Sequence, residues 1–184
     1  MKAVALVAHP DDCVIFAWPF IEAHPEFEWK IVYLTYKPYE PRATEIRRYW
    51  SKRNIPTEFL GFRDNFRDMI DDLLSFSISD AVNSIKEAVV ADLILTHFED
   101  GDYGHIHHMF VHGASQQIDT PKVYFASTFN YNIEYKVVEP VAVEELPLHR
   151  EVIEGFSDRN TGRYIVTPEA ELILKKNNEN INLR

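Results

Sequence analysis

The sequence predicts an α/β fold in which a mostly parallel sheet lies between two layers of helices. Apolar runs without polar alternation recur along the chain, which is typical of strands that are buried on both faces of a sheet. Segments of helical character separate these runs, so strands and helices alternate as they do in α/β domains. An apolar content of 46% over 184 residues is enough to form one sizeable core, which argues against a disordered chain.

The predicted elements follow one another in a regular order. Strands are expected at residues 3–8, 30–35, 58–62, 91–96 and 122–127. Helices are expected at residues 12–23, 42–54, 77–90 and 105–117. Pro19 lies inside the first of these helices and should kink or shorten it, because proline lacks the backbone N–H that a helical hydrogen bond needs.

The alternation of strands and helices lapses beyond Phe129. An extended stretch is expected at residues 134–143, a helix at 144–156 and a short strand at 164–166. We therefore predict a single domain over residues 1–184, with its core at 1–130 and accessory strands and a helix at 131–174. The polar tail at 175–184 is expected to fray, because chain ends order only where they pack.

Composition excludes several classes of protein. The net charge of -10 disfavours nucleic acid as a partner, since there is no basic excess to replace its counterions. No apolar run approaches the roughly 20 residues that span a bilayer, so no membrane partner is expected. The single cysteine rules out an internal disulfide and fits a reducing compartment. We expect a cytoplasmic protein, and the sequence leaves a homo-oligomer open.

A first group of polar side chains, His9-Pro10-Asp11-Asp12, directly follows the first predicted strand. His9 and Asp12 straddle the strand end and the start of a helix, so both side chains can be aimed at one point. Imidazole and carboxylate are good ligands for zinc. Asp11 cannot easily reach the same ion, but it could accept a proton from a water activated there. The simpler interpretation of Asp12 is a helix N-terminal cap.

A second group follows the predicted strand at 91–96. Four of the eight histidines fall within eight residues, namely His105, His107, His108 and His112. Residues three or four apart share a helix face, so His108 can face a pocket together with either His105 or His112. Because open parallel sheets bind ligands beyond the carboxyl ends of their strands, we expect the two groups to meet.

Together the two groups can supply a catalytic metal site. Such a site for zinc has three protein ligands and one open position, which His9, Asp12 and one histidine of the second group would provide. A set of two histidines and one carboxylate also suits iron, so Fe2+ is an alternative to Zn2+. A bound ion would lower the pKa of water and polarise a carbonyl, with Asp11 as the base and a metal-free histidine beside the oxyanion.

The paired motifs resemble those of the PIG-L/LmbE-like zinc de-N-acetylase superfamily. The string AHPDD at residues 8–12 is followed about a hundred residues later by GHIHH at 104–108. Arg42 and Glu45 are similar to an Arg-x-x-Glu opening of the second helix, and LGFRD at 60–64 is similar to a strand-ending segment. The resemblance extends over residues 1–117 and, more weakly, to Phe156. It implies a Rossmann-like fold and removal of an N-acetyl group from an amino sugar or a small glycoside conjugate.

The resemblance also implies a role for individual residues. Three positions match the zinc ligands, namely His9, Asp12 and His108. Asp11 matches the general base, and His105 matches the histidine that stabilises the oxyanion and assists the leaving amine. Arg42 matches a substrate-contacting arginine, and Tyr103 is similar to a mobile tyrosine that some members place over the reacting carbonyl.

Two positions depart from the pattern of the superfamily. Cys13 stands where a glutamate usually follows the Asp-Asp pair, and its place at the start of a helix favours a packing role. His107 stands where an aspartate usually supports the oxyanion histidine, which should make protonation of His105 less favourable. Another carboxylate, such as Asp100 or Asp102, would then have to take over that support.

The sequence leaves some roles open and weighs against one function. His97 could line the pocket or be structural, and three aromatic residues could stack on a sugar ring or simply pack, namely Tyr36, Tyr39 and Phe98. A nucleotide site at the sheet edge is disfavoured, because no glycine-rich loop follows a strand and two carboxylates in the first turn would repel phosphate. A non-catalytic metal- or sugar-binding module derived from the same fold is the second alternative to a hydrolase.

Overall fold

The computed structural model describes residues 1–64, 78–126, 130–156 and 161–177. Within these ranges the strands are β1 (Lys2–Val7), β2 (Glu28–Thr35), β3 (Thr57–Phe62), β4 (Leu93–Thr96), β5 (Lys122–Phe125), β6 (Ile133–Lys136) and β7 (Thr161–Val166). The helices are α1 (Trp18–Ala23), α2 (Pro41–Ser51), α3 (Ile78–Ala88), the short turn α4 (Gly101–Gly104), α5 (Ile106–Ser115), α6 (Arg150–Gly155) and α7 (Pro168–Asn177). A π-helical turn at Cys13–Ala17 precedes α1.

The described strands form one sheet in the order β3-β2-β1-β4-β5-β7-β6. Strands β1 to β5 pair in parallel, whereas β7 runs antiparallel to both β5 and β6. The predicted α/β fold with a mostly parallel sheet is therefore confirmed. The chain builds the sheet outward from β1 to β3 and then reverses at β4, so the carboxyl ends of β1 and β4 lie side by side at a switch point.

The sheet is buried on both faces, as its unbroken apolar runs predict. Successive side chains of a strand point to opposite faces. In β1, the first face carries Ala3, Ala5 and Val7 in one apolar cluster with the turn before α1 and with α7. The opposite face carries Val4 and Leu6 in a second cluster with α3 and α5. This burial holds β1 rigidly and fixes the direction in which the chain leaves it toward His9.

The first predicted helix is divided in two. The π-helical turn ends at Ala17, and Pro19 lies in the first turn of α1, where no hydrogen bond from its nitrogen is needed. This outcome agrees with the effect that was expected of Pro19.

The predicted helix at 144–156 and the predicted extended stretch at 134–143 are wrong in extent. Only the 3-10 turn Val143–Glu145 and α6 form in the first region, with Pro147 between them. The strand β6 ends at Lys136. Of the tail expected to fray, residues 175–177 form the end of α7, and 178–184 lie outside the described residues. No helix in the described part of the chain is long and apolar enough to cross a membrane.

Candidate metal centre

The loop after β1 presents His9 and Asp12 at the edge of the sheet. The backbone N–H of His9 donates to Asp12 Oδ2 at 2.7 Å, which turns the carboxylate back toward the strand end. Asp12 forms no side-chain cap on the turn that follows, although it occupies the cap position. The simpler interpretation of Asp12 as a helix cap therefore fails, and its buried carboxylate faces the second group of side chains.

The loop after β4 brings the histidine-rich segment to the same place. It passes through His97 and the α4 turn, in which Asp102 has a positive φ of 66°. His105 lies at the N-cap of α5, where its Nδ1 accepts the backbone N–H of His107 at 3.2 Å. His107 and His108 then lie on the buried side of α5.

Three side-chain atoms from the two loops form a nearly equilateral triangle. His9 Nδ1 lies 3.2 Å from His108 Nε2 and 3.4 Å from Asp12 Oδ2, and the last two atoms are 3.3 Å apart. Ligands about 2.0–2.1 Å from a tetrahedral zinc ion are themselves separated by about 3.3 Å. The donor set and its spacing thus fit such an ion with no rearrangement of these three groups.

The hydrogen bonds around the triangle orient the imidazole rings toward its centre. His108 Nδ1 donates to Asp102 Oδ2 at 2.8 Å, which leaves the lone pair of His108 Nε2 directed at the triangle. His9 Nε2 contacts His107 Nδ1 at 3.0 Å, on the side of the ring away from His108. Partners of this kind on the second nitrogen fix the tautomer of metal-binding histidines.

Other groupings of the same side chains also come within ligand distance of one another. His105 can join His9 and His108, and His97 can join Asp12 and His108. The nitrogen of His97 that faces Asp12, Nε2, accepts the backbone N–H of Ala8 at 3.1 Å. Since that lone pair is engaged, we interpret His97 as a buried support rather than a ligand.

Asp102 links His97 and His108 by hydrogen bonds. Its Oδ2 accepts a proton from Nδ1 of His97 as well as from Nδ1 of His108. The sequence had suggested Asp102 as a substitute support for the oxyanion histidine. In the structure its carboxylate contacts His97 and His108 instead. The only available sequence signal was its position between a strand end and the histidine-rich helix.

Asp64 is a further carboxylate of the cluster, for which the sequence predicts no role. It follows β3, and its Oδ1 lies 3.5 Å from His9 Nε2 and 4.0 Å from His107 Nδ1. Its place at the end of the LGFRD segment was a signal, since the carboxyl ends of parallel strands share one edge. The hydrogen bond and charge of His9 lower the pKa of Asp64 to about 2, against the opposing effect of burial.

The electrostatics of the cluster favour cations. Burial alone would lower the pKa of His9, but the neighbouring carboxylates of Asp12 and Asp64 raise it to about 9. In the same way, His108 and His9 hold the pKa of Asp12 well below its usual range despite complete burial. Positive charge is therefore stabilised at this point, whether it is carried by protons or by a metal ion.

Asp11, next to Asp12 in the chain, forms an ion pair with Arg42. Its Oδ1 accepts Arg42 Nη2 at 2.9 Å, and Arg42 Nη1 donates to the Tyr36 hydroxyl at 3.0 Å. Burial and the charge of Asp12 raise the pKa of Asp11 and outweigh the arginine. Among the described residues, Arg42 Nε is buried without a hydrogen-bond partner. The site thus holds a carboxylate with increased proton affinity beside the candidate metal position.

The rings of His105 and Tyr103 both pack against His108. The ring of His105 stacks on His108 at 4.7 Å between centroids, and the 60% exposed Tyr103 lies 5.2 Å from His108. Burial and the charges of His9, His108 and His107 lower the pKa of His105 to about 4. The expectation that a histidine at position 107 disfavours protonated His105 agrees with this direction.

Two other sequence candidates lie outside the cluster. His112 Nδ1 contacts the backbone oxygen of His97 at 3.1 Å, and its ring packs against Phe98 and Tyr124. Cys13 is fully buried, and its sulfur accepts the Trp50 Nε1–H at 3.0 Å, in agreement with the packing role expected of it.

The fold is shared with solved structures of LmbE-like deacetylases. A deacetylase–teicoplanin complex from the teicoplanin biosynthesis pathway aligns with a TM-score of 0.57 at 11% identity, over 92% of this chain and 100% of that chain. The N,N'-diacetylchitobiose deacetylase of Pyrococcus horikoshii aligns with a TM-score of 0.56 at 13% identity, over 91% of this chain and 84% of that chain.

An enzyme of another class has the same fold. GalB, the 4-carboxy-2-hydroxymuconate hydratase of Pseudomonas putida KT2440, aligns with a TM-score of 0.54 at 13% identity, over 90% of this chain and 95% of that chain. No family model matches the sequence, and the comparison with curated proteins gives no match. The likeness establishes the fold, and the chemistry has to be argued from the residues of the site.

Proposed function

We propose that this protein is a zinc-dependent amide hydrolase that removes an N-acetyl group from an amino sugar or a small glycoside conjugate. The observation that carries the proposal is the triangle of His9, Asp12 and His108 atoms at tetrahedral spacing, with a carboxylate of raised pKa next to it. A binding module would need the triangle, but it would have no need for a base beside it. Two solved structures of the same fold are described as deacetylases, which supports this reaction class.

Zinc held by these three residues would supply Lewis acidity, which polarises an amide carbonyl and lowers the pKa of water. Asp11 then accepts a proton from the water whose oxygen attacks the carbonyl carbon. Its raised pKa brings its proton affinity closer to neutrality, where a general base is most effective. The hydrogen bond from Arg42 fixes the position of this carboxylate.

His105 donates a hydrogen bond to the oxygen that becomes negative during attack. Its Nδ1 accepts a backbone N–H, so the proton of the neutral ring lies on Nε2. Its lowered pKa keeps the ring neutral near pH 7, and it therefore acts here as a hydrogen-bond donor rather than as a cation. Tyr103 stands over the same opening and can add its hydroxyl to the oxyanion partners.

The reaction ends when the carbon–nitrogen bond breaks. The proton taken up by Asp11 is returned to the leaving nitrogen, so the products are acetate and a free amine. The Arg42 side chain is 27% exposed beside Asp11, so its guanidinium is placed to contact a polar group of the substrate. Tyr36 contacts the Arg42 guanidinium and, together with the exposed Tyr39 three residues along the chain, offers an aromatic surface for a sugar ring.

The decisive experiment compares metal content and amine release in the wild type and in Asp11→Asn. A panel of N-acetylated amino sugars is incubated with purified protein, and zinc is quantified by mass spectrometry. We expect Asp11→Asn to keep its zinc and to lose on the order of 10²- to 10⁴-fold in rate. Stoichiometric zinc without turnover of any panel member would favour the non-catalytic binding module.

The ligand assignment has a matched control on the same helix. His108→Ala should lose zinc, whereas His112→Ala should retain it, because His112 faces the backbone of His97 and not the triangle. Loss of zinc from His112→Ala alone would refute the assignment. Failure of the wild-type protein to hold any divalent ion would refute the hydrolase proposal as a whole.

A further inference from the structure

We propose that His9, His107 and Asp64 form a second divalent-cation site, on the opposite side of the His9 ring from Asp12 and His108. The three donor atoms are His9 Nε2, His107 Nδ1 and Asp64 Oδ1, and they lie within ligand distance of one another. The zinc triangle uses the other nitrogen of His9, Nδ1. We call the triangle of His9, Asp12 and His108 the inner site and the new set the outer site.

The geometry of the outer site is close to that of a tetrahedral ion. His9 Nε2 is 3.0 Å from His107 Nδ1 and 3.5 Å from Asp64 Oδ1, and the last two atoms are 4.0 Å apart. The spacing expected for zinc ligands is about 3.3 Å, so Asp64 has to move by a few tenths of an ångström. Its side chain is 21% exposed while those of both histidines are buried, so the movable ligand is the one with room to move.

The kind of ion follows from the donors. Two imidazoles and one carboxylate suit zinc, cobalt or a similar transition metal, whereas magnesium and calcium prefer sites made of oxygen atoms. The exposure of Asp64 leaves the fourth position open to water or to a substrate group. Three more carboxylates, of Asp11, Asp12 and Asp102, lie in the same cluster, and their charge helps to offset the repulsion between two dications.

His9 is the shared ligand, and this determines the order of binding. A ring that binds ions through both nitrogens carries no N–H proton, so the second ion must displace a proton from His9. The inner site has the more regular spacing, and it should therefore fill first. The outer site should fill at higher metal concentration, because His9 then has to bridge two ions.

His107 also accounts for why this chain in particular would have such a site. It occupies the position at which the resembled superfamily usually has an aspartate, and it lies on α5 next to His108. His107 contacts Nε2 of His9, whereas His108 contacts the other ring nitrogen, Nδ1. The replacement of a carboxylate by an imidazole therefore supplies a nitrogen ligand next to Asp64.

The test is a titration of metal-free protein with Co2+, followed by visible absorption and checked by metal analysis after dialysis. We expect two equivalents in the wild type, the second one weaker, and loss of the second equivalent in both Asp64→Asn and His107→Asn. Asp119→Asn and His112→Asn are the matched controls. Asp119→Asn removes an exposed carboxylate just before β5, at the end of the sheet opposite to the cluster. His112→Asn removes an imidazole from α5, the helix that carries His107. Both variants should keep two equivalents.

Saturation of the wild type at one equivalent would overturn the outer site, as would a second equivalent that survives in both Asp64→Asn and His107→Asn. Circular dichroism verifies that each variant is folded, and the near-isosteric change at the partly exposed Asp64 keeps the test valid if His107→Asn does not fold. The experiment measures bound metal and not catalytic turnover. Protein that binds two ions but releases no amine would refute only the hydrolase, and protein that releases amine with one ion would refute only the outer site.

Discussion

Replacement of Asp102 by asparagine should weaken metal binding although Asp102 is not a ligand. Its Oδ2 accepts the Nδ1 protons of both His97 and His108, so its charge makes His108 Nε2 a better donor to the ion. Asp102 has a positive φ of 66°, a conformation that asparagine tolerates well, so the change removes the charge without adding backbone strain. The amide oxygen can still accept a hydrogen bond from the same direction.

The size of the effect follows from the general cost of losing such a partner. Changes to groups that hydrogen-bond metal-binding histidines lower metal affinity by about 10- to 100-fold. This range corresponds to about 1.4–2.7 kcal/mol of binding free energy. Because Asp102 serves two buried histidines rather than one, we expect Asp102→Asn to fall toward the upper part of the range.

The assay is competition for zinc between the protein and a chromophoric chelator at fixed pH and salt. Asp100→Asn is the matched control, since it removes the same charge two residues away, from an exposed carboxylate that accepts the backbone N–H of Asp102. Affinity of Asp102→Asn within about threefold of the wild type, well below the 10- to 100-fold range, would refute the reasoning. An equal loss in Asp100→Asn would show that net charge, and not the contact with His108, is responsible.

Two further predictions concern stability. A methyl group added at Gly162 would lie 2.2 Å from the hydroxyl of the fully buried Tyr164, so Gly162→Ala should lower the free energy of unfolding by about 1–3 kcal/mol. Gly113→Ala, in an open stretch of α5, should instead raise the free energy of unfolding by about 0.5–1 kcal/mol. Urea denaturation measures both variants, and a shift of the same sign in both would contradict this account. Burial lowers the pKa of His24 in the folded state, so the unfolded chain takes up that proton first, and the contribution of His24 to stability should decline as the pH falls below 6.5. His24→Gln should flatten that decline in denaturation curves, and an unchanged slope would assign the acid sensitivity to other groups.

The apolar runs were a dependable guide to the sheet because they report burial directly. A strand buried on both faces needs apolar residues at every position, and β1 has them from Ala3 to Val7. The ends of elements were less predictable. Pro147 interrupts a segment whose composition favours a helix, and β6 ends at Lys136 although an extended segment was expected to continue to 143.

The candidate site shows the same contrast between features that the sequence predicted and features that it did not. The sequence alone identified the two strand-end groups, because His9, Asp12 and His108 belong to short motifs whose spacing along the chain is recognisable. It did not assign a role to Asp64 or indicate that His107 is buried against His9. These contacts join the ends of β1 and β3 with helix α5, which are far apart along the chain.

What the sequence by itself determined is the fold class and the stock of candidate ligands and bases, since both follow from local composition and local spacing. Only the tertiary structure decided which nitrogen of each histidine faces which carboxylate. The order of strands reverses between β1 and β4, and this reversal brings His9 and His108 to 3.2 Å while leaving the far side of the His9 ring against His107. No local sequence pattern encodes these contacts of His9, because they depend on how the whole sheet is assembled.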